Sequence, residues 1–136
     1  MLIYLVEDDQ SILELEEYAL QAQGFETQGF GEGESFFAAC SQRLPDLVIL
    51  DVMLPGEDGF SILKKLRRTP GAETLPAVMV TARTAELDVV KGLDQGADDY
   101  ISKPFGVLEF VSRVKAVLRR ADKAPGHLSF GGIRMD

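Results

Sequence analysis

Short apolar runs recur along the chain: LIYLV at 2–6, a weaker run in FETQGF at 25–30, LVIL at 47–50, AVMV at 77–80 and DYIS at 99–102. Continuous runs of this length predict strands buried on both faces. Helix-length segments fill the intervals. In SILELEEYALQAQG, Ile12, Leu15 and Ala19 follow three- and four-residue steps, acidic residues occupy much of the other face, and Gly24 follows as a stop. GESFFAACSQR, GFSILKKLRR and ELDVVKGLDQG behave similarly, each delimited by Gly or Pro. The longest segment, FGVLEFVSRVKAVLRRA, predicts a stripe through Leu108, Val111, Val114 and Leu118, with basic residues at the carboxyl end where the helix dipole favours them. Strand and helix therefore alternate five times, which predicts an α/β fold with a parallel sheet and right-handed crossovers.

The pattern changes after Arg120. The stretch 121–127, which contains DKAPGH, reads as a polar linker, and LSFGGIRMD at 128–136 reads as one isolated strand. A lone strand is not stable, so residues 1–120 are expected to form one domain and 128–136 to open a second, truncated one.

Composition narrows the function. The 136 residues, 46% hydrophobic, suit a single domain with a proper core. A formal net charge of -8 makes the chain a poor electrostatic match for nucleic acid, so DNA contact has to come from elsewhere. The single cysteine, Cys40, has no partner for an internal disulfide and lies in FFAAC, where packing is its expected role. With no leader-like or membrane-length apolar run, the expectation is a soluble, cytoplasmic protein that makes no membrane contact.

The third run, in LVILDVMLPGEDGF, stops on a carboxylate, Asp51, before the Pro55–Gly56 break. A charge at the end of a buried strand is costly unless something pairs with it or uses it. In open parallel sheets the ligand site lies beyond the carboxyl ends of the strands. That edge would gather Glu7, Asp8 and Asp9 from the first strand, Asp51 from the third, Thr81 from the fourth and Lys103 from the fifth. Crowded carboxylates call for a cation, and an oxygen-only donor set suits Mg²⁺. Lysine supplies a point charge for a phosphoryl oxygen, and a threonine hydroxyl can donate to another. The only histidine, His127, lies in the linker, which excludes a Ser/His/Asp triad or a histidine zinc cluster. The set describes Asp51 as a nucleophile for phosphoryl transfer, neutralised by metal and Lys103. Asp9 reads better as a helix cap, and KKLRR at 64–68 as a solvated helix end. A haloacid-dehalogenase-type phosphatase would want a second Asp where Met53 stands, so a turnover enzyme is not expected.

LVEDD at 5–9, LDVMLPGEDGF at 50–60, VTAR at 80–83 and GADDYISKPF at 96–105 together resemble the receiver domain of bacterial two-component response regulators. The resemblance implies a flavodoxin-like (CheY-like) doubly wound sheet of five parallel strands in the order 2-1-3-4-5, with five helices. It implies that Asp51 accepts a phosphoryl group from a sensor histidine kinase. Asp8, Asp51 and the Met53 backbone carbonyl would hold Mg²⁺ or Mn²⁺, with Glu7 acting through water. Thr81 and Tyr100 would be the switch pair, and Lys103 the phosphate contact, joined to Pro104 by a cis bond. The closing VKAVLRRA and LSFGGIRMD are similar to the OmpR/PhoB subfamily, whose second domain binds DNA. That subfamily forms homodimers through the fourth helix, fifth strand and fifth helix. Asp98, Asp99, Glu109, Arg113 and Arg120 stand where its cross-subunit charges are expected, while Val89 and Gln95 depart from the usual basic and acidic residues. The competing expectation is a pseudo-receiver, a protein-interaction module that works without phosphorylation.

Overall fold

Strand and helix alternate five times in the structure, a computed structural model that describes residues 1–123. The elements are β1 (Leu2–Val6), α1 (Gln10–Gln21), β2 (Glu26–Phe30), α2 (Gly33–Gln42), β3 (Leu47–Leu50), α3 (Gly59–Arg67), β4 (Ala77–Thr81), α4 (Glu86–Asp94), β5 (Asp99–Ser102) and α5 (Val107–Lys123). All pairings are parallel and the strand order is β2-β1-β3-β4-β5, as the resemblance implied.

The central strands β1, β3 and β4 are buried throughout, which is why they read as unbroken apolar runs. β2 lies at one edge and alternates exposed with half-buried positions, hence its weak signal. Successive side chains of a strand point to opposite faces, so the sheet builds two cores. Leu2, Tyr4 and Val6 join Phe36 of α2 and Phe60, Leu63 and Leu66 of α3 on one face. Ile3 and Leu5 join Leu13 and Leu20 of α1 and Phe110, Val114 and Val117 of α5 on the other. Acidic caps start three helices: the side chains of Asp9, Glu32 and Asp58 accept backbone N–H groups at the amino ends of α1, α2 and α3.

Two predicted stripes are corrected. The buried side of α1 carries Leu13, Glu16, Ala19 and Leu20, while Leu15 is exposed. In α5 the inward residues are Phe110, Val111, Val114 and Val117, and Leu108 is 85% exposed. α5 continues to Lys123, into the stretch read as linker from 121, and the remainder of that linker and the strand at 128–136 lie outside the described residues. No helix among the described residues is long and apolar enough to cross a membrane.

Candidate functional site

Sheet register brings the site together. Val6 lies opposite Leu50, and Leu50 opposite Met79, so the residues that follow β1 and β3 emerge side by side at one edge. Asp51 donates its backbone N–H to Val6 O at 3.1 Å, and Glu7 donates its own to Phe30 O at 2.9 Å. Both acids are thus held by extensions of the strand ladders. The turn after Asp51 requires a glycine: a Cβ at Gly59 would fall 2.1 Å from the Asp51 carbonyl oxygen. Only a residue without a side chain lets α3 start against that carbonyl.

Lys103 closes the group. Its Nζ lies 2.7 Å from Asp51 Oδ2 and 2.6 Å from Glu7 Oε1, bridging the two acids. Asp51 Oδ1 accepts the Met53 N–H at 3.0 Å, and Glu7 Oε2 accepts the Asp9 N–H at 3.1 Å. Burial pushes the Glu7 carboxyl above its ordinary range, and the Lys103 hydrogen bond opposes it. Burial also works against the Lys103 ammonium, yet its bonds to Asp51 and Glu7 outweigh this and hold its pKa above that of a free lysine. The bond between Lys103 and Pro104 is cis.

Asp8 stands exposed at the rim. One oxygen each from Glu7, Asp8 and Asp51 lie within 4.8 Å of one another. Three carboxylates against one ammonium leave net negative charge, and an oxygen-only donor set open on the Asp8 side suits a hard divalent cation. The exposed Met53 lies beside Asp51 on the chain, and Asp9 turns away to cap α1.

Thr81 ends β4 fully buried, and its Oγ1 accepts the Arg83 N–H at 3.2 Å. The Tyr100 hydroxyl donates to Arg83 O. The expected switch pair is therefore joined through the two backbone groups of one residue, a link absent from the sequence reading although Arg83 lies in VTAR. Tyr100 packs its ring against Gly92 of α4, where a Cβ would approach to 2.9 Å, and burial pushes its hydroxyl pKa up to about 12.

The charges expected on a dimer face are engaged within the chain. Arg113 pairs with Asp99 at 3.1 Å and with Glu109 at 3.1 Å. The Asp98 carboxylate accepts the Ala77 N–H at 2.8 Å, and Arg120 donates to Asp98 O at 3.1 Å.

One acid went unread. Glu16 of α1 is 1% exposed, and neither side-chain oxygen has a hydrogen-bond partner among the described residues. Burial raises its pKa to about 8, the charges of Glu7 and Asp51 adding to the effect and Lys103 opposing it. The signal was present: Glu16 is three residues from both Leu13 and Ala19, on the stripe that proved to face the core.

The chain matches the family model "Response regulator receiver domain" over residues 3–115. It is 44% identical over 135 residues to the DNA-binding response regulator MtrA of Mycolicibacterium smegmatis, an overlap of 98% of this chain and 58% of that protein. It is 47% identical over 119 residues to the phosphate regulon transcriptional regulatory protein PhoB of Rhizobium meliloti, covering 88% of this chain and 52% of that one. The chain thus spans about half the length of these curated relatives. Among solved structures, a response regulator of Chloroflexus aurantiacus superposes with TM-score 0.84 at 38% identity, covering 88% of this chain and 98% of that one. The BeF3-activated receiver domain of DrrB does so with TM-score 0.78 at 34% identity, covering 88% and 97%.

Proposed function

The chain belongs to the response regulator receiver family, and on that premise we propose that Asp51 takes a phosphoryl group from the phosphohistidine of a sensor histidine kinase. The observation that carries this reading is the Lys103 bridge: a buried acid at a strand end, already charge-paired and open on one side to an acidic rim.

In the transfer, an Asp51 oxygen forms a bond to phosphorus as the P–N bond of phosphohistidine breaks, and the departing imidazole keeps the electron pair and takes a proton. Lys103 redirects one N–H from Asp51 to a phosphoryl oxygen. Asp8, Asp51, the Met53 carbonyl and, through water, Glu7 would hold Mg²⁺ or Mn²⁺. A bound divalent cation would neutralise the transferring oxygens. The Thr81 hydroxyl uses an oxygen lone pair on Arg83, so its proton is available to the new group.

As Thr81 moves, Arg83 moves with it, and Tyr100 loses its acceptor and turns inward. The face built by α4, β5 and α5 then repacks and forms the homodimer, its charges exchanging partners within the chain for partners across it. Such a change is a population shift, so the unmodified chain samples the active form at low occupancy. An attached DNA-binding domain would read the change in the cytoplasm, a role supported by the relatives' description as DNA-binding and transcriptional regulators. The domain is a phospho-acceptor and works by modification of itself, without turnover of a separate substrate.

Intact mass after incubation with Mg²⁺ and acetyl phosphate tests this. The wild type is expected to gain one phosphoryl group, dependent on Mg²⁺, and Asp51→Asn none. Folded, cation-binding wild type that stays unmodified would leave the pseudo-receiver as the better reading.

A further inference from the structure

Among the charges of KKLRR, Arg67 is not a solvated side chain. It ends α3, is 18% exposed, and spends its guanidinium on three backbone carbonyls. Nη1 donates to Leu75 O at 2.7 Å and to Ala72 O at 3.4 Å, both in the loop between α3 and β4. Nη2 donates to Gly96 O at 2.7 Å, and its distance to Asp98 Oδ2 is 3.8 Å.

Gly96 is where α4 stops. Its N–H bonds to Leu93 O and the Ala97 N–H bonds to Gly92 O, each at 3.0 Å, closing the helix with a left-handed residue at φ +102°. A Cβ on Gly96 would lie 2.8 Å from Arg67 Nε, so the guanidinium fills the space a side chain would need. The other end of α4 is held differently. Ala85 provides no side-chain cap, Leu87 is exposed, and the loop before it is fastened through the Arg83–Asp88 pair and the Arg83 carbonyl. Along its length α4 buries only Gly92, where α3 buries five residues. One end of a lightly packed helix is tied by a planar fork to a neighbouring loop, and the other is tied, among the described residues, through the residue that links Thr81 and Tyr100.

We infer that Arg67 is the fixed pivot of α4: it clamps the carboxyl end of the helix to the α3–β4 loop, so that rearrangement swings the amino end. The pivot turns a small shift at Arg83 into rotation of the exposed α4 side chains and prevents translation of the whole helix. The role in switching rests on the phospho-acceptor reading, whereas the clamp itself does not.

Residue-resolved hydrogen exchange tests both. In the unmodified chain, Arg67→Met is expected to lower protection of the Gly96 and Ala97 amides by about 10-fold or more, the loss of a charged donor, with Ile3 and Leu5 unchanged as a measure of the global fold. If Arg67→Met does not fold, Arg67→Lys, which keeps the charge and loses the fork, gives the same comparison. Unchanged protection at Gly96 and Ala97 in the folded variant would overturn the clamp. With Mg²⁺ and beryllofluoride as the phosphoryl mimic, the wild type should change protection at Asp88 and Val89 while Gly96 and Ala97 hold. In the variant the change should run the length of α4. A wild-type change of equal size at both ends would overturn the pivot and leave the clamp standing. A mimic that fails to bind would count against the phospho-acceptor reading alone, since the unmodified comparison needs no phosphoryl group.

Discussion

Two sets of carboxylates are buried to nearly the same depth and live under opposite conditions. Glu7 and Asp51, 3% and 5% exposed, share the ammonium of Lys103 and each accept a backbone N–H. Glu16, 1% exposed, has no hydrogen-bond partner for either oxygen among the described residues. The contrast teaches that depth alone does not set the cost of burying an acid. Desolvation disfavours the anion, and a partner at hydrogen-bond distance opposes that cost. The paired acids form a site ready for a phosphoryl group and a cation. Glu16, with its pKa at about 8, is a neutral acid at pH 7 and behaves as part of the core.

Removing the partner should break the contrast most strongly. Lys103→Met keeps the apolar stem and leaves two buried carboxylates without counter-charge. In chelator at pH 7 we expect urea unfolding to show a loss of about 3 to 5 kcal/mol. Without the ammonium, the Glu7 carboxyl rises further above its unfolded value. The loss therefore grows as pH rises and shrinks as pH falls and Glu7 takes up a proton. Mg²⁺ should restore part of the stability by binding only the folded form. An equal loss at pH 5 and pH 7 would mean that Glu7 keeps one charge state across that range and that its repulsion with Asp51 does not set the loss.

The next largest effect belongs to Glu16→Gln. The folded pKa of about 8 lies above the ordinary 4.5, so between these values the folded chain holds a proton that the unfolded chain has released. Stability of the wild type therefore falls as pH rises through that window and is level above it, by an amount on the order of a few kcal/mol. Glutamine does not ionise, and its profile should lack this slope whatever its absolute stability. Parallel profiles between pH 5 and 8 would show that the Glu16 carboxyl has found a partner after all.

The two sets also differ in how legible they were. Asp51 announced itself because an apolar run that ends on a charge is anomalous on its face, and the strand-end rule then placed Glu7 and Lys103 beside it. Glu16 did not. Ile12, Leu15 and Ala19 satisfy the same three- and four-residue steps as Leu13, Glu16, Ala19 and Leu20, so periodicity establishes the helix but leaves its phase open, and an acid is counted as polar by default. Leu108 was misplaced in α5 for the same reason, Phe110 being on the true inner face. Arg67 reads as solvated in sequence because its acceptors are backbone carbonyls, and one of them, Gly96 O, is 29 residues away and reaches it through the order of β4 and β5. The bridge of Arg83 between Thr81 and Tyr100 is made by backbone atoms, which carry no residue signature.

The smallest effect sharpens what the cation would do for the paired set. Asp8 is exposed and hydrogen-bonded to neither Lys103 nor Asp51, so its charge reaches the two acids across a partly solvated gap. Asp8→Asn should relieve part of the repulsion and raise Tm by about 2 °C in chelator. In Mg²⁺ the order should reverse, because the wild type gains binding free energy that the variant, short of one ligand, gains less of. Differential scanning calorimetry of both proteins across a Mg²⁺ series gives the crossing point. A lower Tm for the variant already in chelator would show that the Asp8 charge does not destabilise the cluster, and that the three carboxylates need no cation to be stable together.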